Sequence, residues 1–241
     1  MMHGDQRGIF DLSFALPSEC ADQLANGQAD IGILPVIEMA RQKLEYFRGT
    51  GIACHGPVRS ILLISKVPFR EIRTVAADSG SRTSVVLTRV ILGEKFGVQP
   101  KLIARPADLS PMLGEADAAL LIGDAALRVD PLKLPFETLD LGGEWVALTG
   151  LPMVFAVWSG SVCDPRFSPA FIDSWEFGMS RIEEIVASES AARGFDAALV
   201  RKYLTEHIVF RLGPKDYEGL DLFLQQASRF EPELLKSGVL L

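Results

Sequence analysis

Four short segments carry residue types from which a binding site can be built. The richest is Asp78-Ser79-Gly80-Ser81-Arg82-Thr83-Ser84, between an apolar stretch starting at Thr74 and a helical pattern running on from Val85. Gly80 permits a tight turn, and the hydroxyls of Ser81, Thr83 and Ser84 fall beside the free backbone N–H groups of a helix start. Such an end attracts anions, because donors converge there and the helix dipole is positive. Arg82 adds a cation. The same residues also suit plain N-capping, which needs a single Ser or Thr. The segment is not a GxxxxGK[ST] phosphate loop, since the second Gly and the Lys are missing.

The second segment, Cys54-His55-Gly56-Pro57-Val58-Arg59-Ser60, leads into an apolar run. Its Gly56-Pro57 turn presents backbone groups, and Ser60 offers a hydroxyl donor. His55 is either a weak catalytic candidate or a solvent-exposed loop imidazole. The third segment, Ile122-Gly123-Asp124, ends a short apolar strand, where ligands of open α/β sheets bind. Asp124 either meets a ligand or caps the helix from Ala125; the counterpart earlier in the chain is Leu34-Pro35. The fourth, Thr149-Gly150-Leu151-Pro152, is another Gly-Pro turn entering a strand.

What is missing narrows the chemistry. No His/Cys/Asp/Glu set has metal-ligand spacing, so no metal is expected. There is no GxSxG elbow and no Cys/His pair suited to nucleophilic catalysis. GxGxxG is also absent, which argues against a nucleotide cofactor, and no cofactor is expected. Lys and Arg number 24 against 31 Asp and Glu, a net charge of −7, which disfavours a nucleic-acid partner. Cys20, Cys54 and Cys163 lie far apart without a CxxC pair, as in a reducing compartment. No apolar run reaches membrane-spanning length and no signal peptide is visible, so a cytoplasmic location without membrane contact is expected. A cleft of hydroxyls, backbone N–H groups and apolar walls remains, suited to a small organic anion. Nothing in the sequence reads out an oligomeric state.

The elements that must hold these segments are legible from an internal repeat. Gly27-Gln28-Ala29-Asp30-Ile31-Gly32-Ile33-Leu34 matches Gly114-Glu115-Ala116-Asp117-Ala118-Ala119-Leu120-Leu121 at a constant offset, 114 − 27 = 87 residues. In each copy a Gly is expected to end a short helix and an Asp to start a buried strand. A strand and a helix precede each copy: Leu12 to Leu16 then Ser18 to Asn26, and Lys101 to Arg105 then Asp108 to Leu113. Strand–helix–strand, twice, predicts parallel pairing in two similar lobes. The second copy has a further unit in front, strand Thr74 to Ala77 and a helix from about Ser81 to Phe96. The first has only Met1 to Asp11, so a first lobe built like the second is one opening strand short.

Ser60 to Ser65 and Pro152 to Trp158 read as buried strands. A helix starts at Ser168-Pro169, with Phe171, Trp175, Ile182 and Ile185 on one apolar face. Two more helical stretches cover about Asp196 to Thr205 and Pro214 to Arg229. At 48% apolar and 23% charged, 241 residues fill two lobes with a substantial core. The expected division places 1–68 plus 153–241 in lobe one and 69–152 in lobe two. Two crossings then make a hinge over a ligand cleft.

Together, Gly56-Pro57-Val58-Arg59-Ser60, Ser81-Arg82-Thr83-Ser84, Ala118 to Leu127 (AALLIGDAAL) and Thr149 to Trp158 (TGLPMVFAVW) resemble, in order and spacing, the chorismate dehydratases of the futalosine route to menaquinone. The resemblance runs from about Leu12 to the C-terminus. It implies an α/β fold with the two-lobed, type II periplasmic-binding-protein-like architecture, used as an enzyme. The implied reaction, a carbon–oxygen lyase step, takes chorismate to 3-[(1-carboxyvinyl)oxy]benzoate by loss of water. The substrate-binding residues expected on this footing are Pro35, Gly56, Ser60, Ser81, Arg82, Thr83, Ser84, Gly123, Asp124 and Pro152. No compelling general base is present, so a substrate carboxylate is expected to help remove the ring proton, with the protein positioning and desolvating. The family opens with a Ser-Tyr-Leu-Asn-Thr-like segment whose Asn lines the cleft. Met1 to Ile9 holds no Asn, and the catalytic residue is therefore left open. A cytosolic small-carboxylate binding protein without catalysis is one alternative. The sister naphthoate synthase of the same pathway is another.

Overall fold

The computed structural model describes residues 1–78, 80 and 82–231. Two sheets organise the chain. The first, in the order β1-β8-β2-β9, contains β1 (Ile31–Pro35), β2 (Glu45–Cys54), β8 (Met153–Gly160) and β9 (Val209–Arg211). All its pairings are antiparallel. The second, in the order β5-β4-β6-β3-β7, contains β3 (Ile61–Ser65), β4 (Thr74–Asp78), β5 (Lys101–Arg105), β6 (Ala118–Ile122) and β7 (Glu137–Asp140). There β4 runs parallel to β5 and β6, as the repeated strand–helix–strand pattern requires.

The repeat is visible in the strand bounds. β1 and β6 begin and end 87 residues apart, 118 − 31 and 122 − 35. Each also has an antiparallel neighbour on one side, β8 for β1 and β3 for β6. Two details differ from expectation. Gly27 does leave helix α1 (Pro17–Ala25) with φ +67°, whereas Gly114 lies inside helix α4 (Leu109–Glu115), which ends instead at an extended Ala116. Residues 11–16 also form no strand. A strand needs a neighbour's backbone groups, and among the described residues the neighbour that β4 provides for β5 has no counterpart in the first lobe. Among the described residues, parallel pairing is accordingly confined to the second sheet.

The expected lobe boundary near Pro68 shifts as well, because β3 is hydrogen-bonded between β6 and β7 in the second sheet. By sheet membership the outward crossing is the loop between Cys54 and Ile61. The return crossing follows helix α6 (Leu141–Thr149) and enters β8. Helix α3 (Thr83–Ile91) buries Val86, Leu87, Val90 and Ile91, spaced to make one face, against the second sheet. The helix expected from Ser168 is two, α7 (Ser168–Ser180) and α8 (Ile182–Arg193), broken at Arg181. Helix α10 (Pro214–Phe230) presents Leu220, Phe223 and Ala227 to the first sheet. One apolar cluster joins both lobes: Ile37, Val154 and Phe223 from the first and Leu87, Leu120 and Trp145 from the second belong to it. No described helix is long and apolar enough to cross a membrane.

Arg59 fixes the outward crossing. Its φ is +67°, a conformation that strains any residue with a side chain. The reward is the position of its guanidinium, which donates to the carbonyls of Ala126 (3.0 Å), Leu127 (3.4 Å) and Val129 at the end of helix α5 (Gly123–Arg128). The Asp140 carboxylate accepts the Val58 and Arg59 N–H groups at 2.9 and 2.6 Å. Arg59→Ala keeps the strain and loses the donors; Arg59→Gly loses the donors and relieves the strain. Both are expected to destabilise, Ala by about 1 kcal/mol more than Gly, as read by urea denaturation.

Candidate functional site

Ser60 sits at the centre of what the structure assembles. Its backbone carbonyl accepts the Gly123 N–H at 2.8 Å, joining the second and third sequence segments directly. The Ser60 hydroxyl accepts a hydrogen bond from Tyr203 Oη at 3.0 Å, so its own proton is left to donate elsewhere. Burial pushes the Tyr203 phenol above its ordinary range, which keeps it a neutral donor. Gly123 opens α5 with φ +55°, a turn that a glycine makes without strain.

The first segment lies at the start of α3. Ser81 falls outside the described residues. Arg82 is the N-cap residue, and its side chain does not cap the helix. Thr83 and Ser84 are both buried, and Thr83 Oγ1 donates across the lobes to the Phe155 carbonyl at 3.2 Å. Phe155 adjoins Ala156, whose register partner on β1 is Pro35. Thr83 and Pro35 are thereby tied to the same stretch of β8. The α3 start faces the first lobe, as a shared ligand site requires.

Arg82 is engaged within the protein. Its guanidinium bonds Asp22 of α1 at 2.9 Å and Glu38 at 2.9 Å. Glu38 lies in helix α2 (Val36–Arg41), immediately after β1, and is itself buried. With a carboxylate from α1 and one from α2 on it, Arg82 is a clasp between lobes. Asp124 is also engaged: its carboxylate pairs with Arg193 at 3.0 Å on the exposed surface beside α8. Pro152 contributes its carbonyl, which takes the Trp145 Nε1 proton at 3.0 Å. Gly56 lies in the outward crossing with open space where a side chain would stand.

His55 is not a lone imidazole. Its Nε2 lies 2.9 Å from Asp216 Oδ1, and the other oxygen of Asp216 accepts the Gly213 N–H at 2.8 Å. Asp216 is buried in the first turn of α10, while the His55 ring remains half exposed. Sequence reasoning missed Asp216, Tyr203 and Glu38, which lie 161, 143 and 44 residues from His55, Ser60 and Arg82. Only the acidic residue three places after Gly213 carried a local signal, as a helix-start carboxylate. The neighbouring Cys54 thiol is pushed up to about 12 by burial, which removes it as a nucleophile. Among the described residues no group of His, Cys, Asp and Glu could hold a metal ion.

Comparison with known proteins gives a consistent picture. The family described as "Menaquinone biosynthesis" matches residues 3–229. The chorismate dehydratase of Thermus thermophilus is 27% identical over 249 residues, covering 93% of this chain and 91% of its own. That of Campylobacter jejuni is 27% identical over 213 residues, covering 87% and 80%. In solved structures, a protein from Archaeoglobus fulgidus superposes with a TM-score of 0.72 at 15% identity, covering 91% of this chain and 85% of that one. The periplasmic aliphatic sulphonate binding protein of Escherichia coli superposes with a TM-score of 0.58 at 20% identity, covering 92% and 76%. The fold is the periplasmic-binding-protein-like one.

Proposed function

Because this chain belongs to the menaquinone biosynthesis family, we propose that it is a lyase of the cytoplasm that dehydrates chorismate to 3-[(1-carboxyvinyl)oxy]benzoate at the junction of its two lobes. The observation that carries the reading is a likeness to two chorismate dehydratases that extends over most of the chain rather than over one motif. The local geometry supports it. The first-turn N–H groups of α3, with Thr83 and Ser84 beside them, suit one substrate carboxylate. Ser60 holds a donor proton in reserve, and the apolar cluster behind both segments keeps water out.

The reaction asks little of the protein's own acids and bases. A ring C–H bond breaks, its electron pair forms a ring double bond, and the hydroxyl leaves with a proton as water. The ring becomes aromatic, so the drive resides in the substrate. The protein holds one conformer and donates to the departing oxygen, while a substrate carboxylate accepts the ring proton. His55, steadied by Asp216, is the competing base. His55→Ala is expected to retain kcat within about threefold, and the kcat profile against pH is expected to show no imidazole limb. Loss of about a hundredfold or more in kcat in that variant, with an imidazole limb in the parent, would instead assign the proton to His55.

A second reading, binding of a small carboxylate without turnover, is favoured by the fold shared with the periplasmic aliphatic sulphonate binding protein of Escherichia coli. Calorimetry with chorismate separates the two, since heat that saturates and stops indicates binding alone.

A further inference from the structure

Ser60, Thr83 and Ser84 are each 4% exposed, so a ligand reaches them only after some part of the fold moves. Two parts lie over them. One is the lobe interface, where Leu87, Trp145 and Phe223 are fully buried in the shared apolar cluster. The other is the chain from Arg193 to His207, which follows α8 and contains helix α9 (Ala197–Lys202) and the single turn Tyr203–His207. No residue from Arg193 to His207 is buried.

This strap crosses from the first lobe to the second. At its start the Arg193 side chain pairs with Asp124 at 3.0 Å, and the Arg193 carbonyl accepts the Arg128 guanidinium at 2.8 Å. The same guanidinium lies over the Phe195 ring, 4.5 Å from its centre. Asp124 and Arg128 stand one turn apart on α5, so the strap is hooked along the helix that Gly123 opens. At its end Tyr203 Oη donates to the Ser60 hydroxyl at 3.0 Å, and His207 Nδ1 lies 2.8 Å from the Pro57 carbonyl oxygen. Gly194, with φ +68°, bounds it on one side and the buried Ile208 on the other. The hooks on α5 are polar and exposed, and such ion pairs hold elements together only weakly. Parting the lobes would instead bring Leu87, Trp145 and Phe223 toward water.

We propose that this strap, rather than a parting of the lobes, opens the site: residues 193–207 lift from α5 to admit a ligand and return to press Tyr203 onto Ser60. Asp124, Arg128, Arg193 and Phe195 thereby act on Ser60 through Tyr203, as positioning residues at the far end of the strap. The inference rests on the reading that places the site at Ser60.

Ser60→Cys puts a reporter thiol beneath the strap. Its alkylation by iodoacetamide in the ligand-free chain, located by peptide mass, measures how often the site opens. Adding Arg128→Ala removes the bond to the Arg193 carbonyl and the contact with the Phe195 ring together, and is expected to speed alkylation about fivefold. Arg193→Ala, which releases Asp124, is a second route to the same increase. Adding Arg82→Gln instead, which loosens the clasp between lobes, is expected to leave the rate within about twofold. Cys54 is fully buried, reports unfolding, and is expected to stay unmodified throughout. No acceleration by either strap variant, an acceleration by Arg82→Gln as large as theirs, or modification of Cys54 in step with the reporter would each overturn the proposal. Saturating chorismate added to the same proteins tests the chorismate reading separately. Strap-dependent alkylation that chorismate slows supports both, whereas strap-dependent alkylation that chorismate leaves unchanged supports the strap and removes the chorismate reading.

Discussion

Trp145→Ala is expected to lower the stability of this protein by about 3–5 kcal/mol, the largest effect of any single side-chain deletion considered. Trp145 is fully buried on α6 and belongs to the second lobe, but two of its contacts reach the elements that rebuild the first. Its ring meets Phe223 of α10 edge-on at 5.6 Å between centroids, and its Nε1 proton satisfies the Pro152 carbonyl at the return crossing. That carbonyl is closely packed from the other side: a Cβ added to Gly219 would lie 2.1 Å from its oxygen. The cavity left by alanine therefore cannot close by moving α10 inward, because backbone already touches backbone there. The cost includes an unsatisfied buried acceptor of about 1–3 kcal/mol. Trp145→Phe retains most of the apolar contact and loses the donor, so it should lie between the parent and Trp145→Ala. Urea midpoints at constant m-value measure both. A loss below about 1 kcal/mol for Trp145→Ala would show that the lobes are not held at this point.

Ser60→Ala is expected to reduce kcat/KM for chorismate about 10- to 100-fold, the usual consequence of removing one hydrogen bond to a charged or developing-charge oxygen. The prediction rests on Ser60 receiving, rather than giving, its bond with Tyr203. Tyr203→Phe leaves the Ser60 hydroxyl without that donor and free to turn, so a smaller loss, about 3- to 10-fold, is expected. Thermal unfolding of both variants should stay close to the parent, since each substitution removes a hydroxyl and little packing. Equal kinetic loss in kcat and in kcat/KM would place the Ser60 bond in the transition state. A rise in KM alone would make it a binding contact.

Strands whose whole setting is local or repeated were legible in the sequence. β3, β4, β6 and β8 are short apolar runs, and the 87-residue repeat located β1 from β6. The stretch Leu12 to Leu16 has the same alternation and still forms no strand, because composition cannot supply a neighbour's hydrogen-bonding edge. The site was legible by segment and illegible by pairing. Ser60 and Gly123 were both named, but nothing in either segment announces the bond between them. The two carboxylates on Arg82 were not legible, because they lie in α1 and α2, distant in the chain and brought close only when the lobes meet. The exposed His55 ring likewise gave no sign of the buried Asp216 behind it.

The measurement that bears most directly on this account is the incubation of the purified chain with chorismate, followed over time by mass spectrometry. Catalytic accumulation of a product one water lighter than chorismate is expected, over many turnovers per protein molecule, at a rate reduced in the Ser60→Ala protein. Chorismate recovered unchanged from a folded chain that binds it would contradict the dehydratase reading and leave a carboxylate receptor in its place.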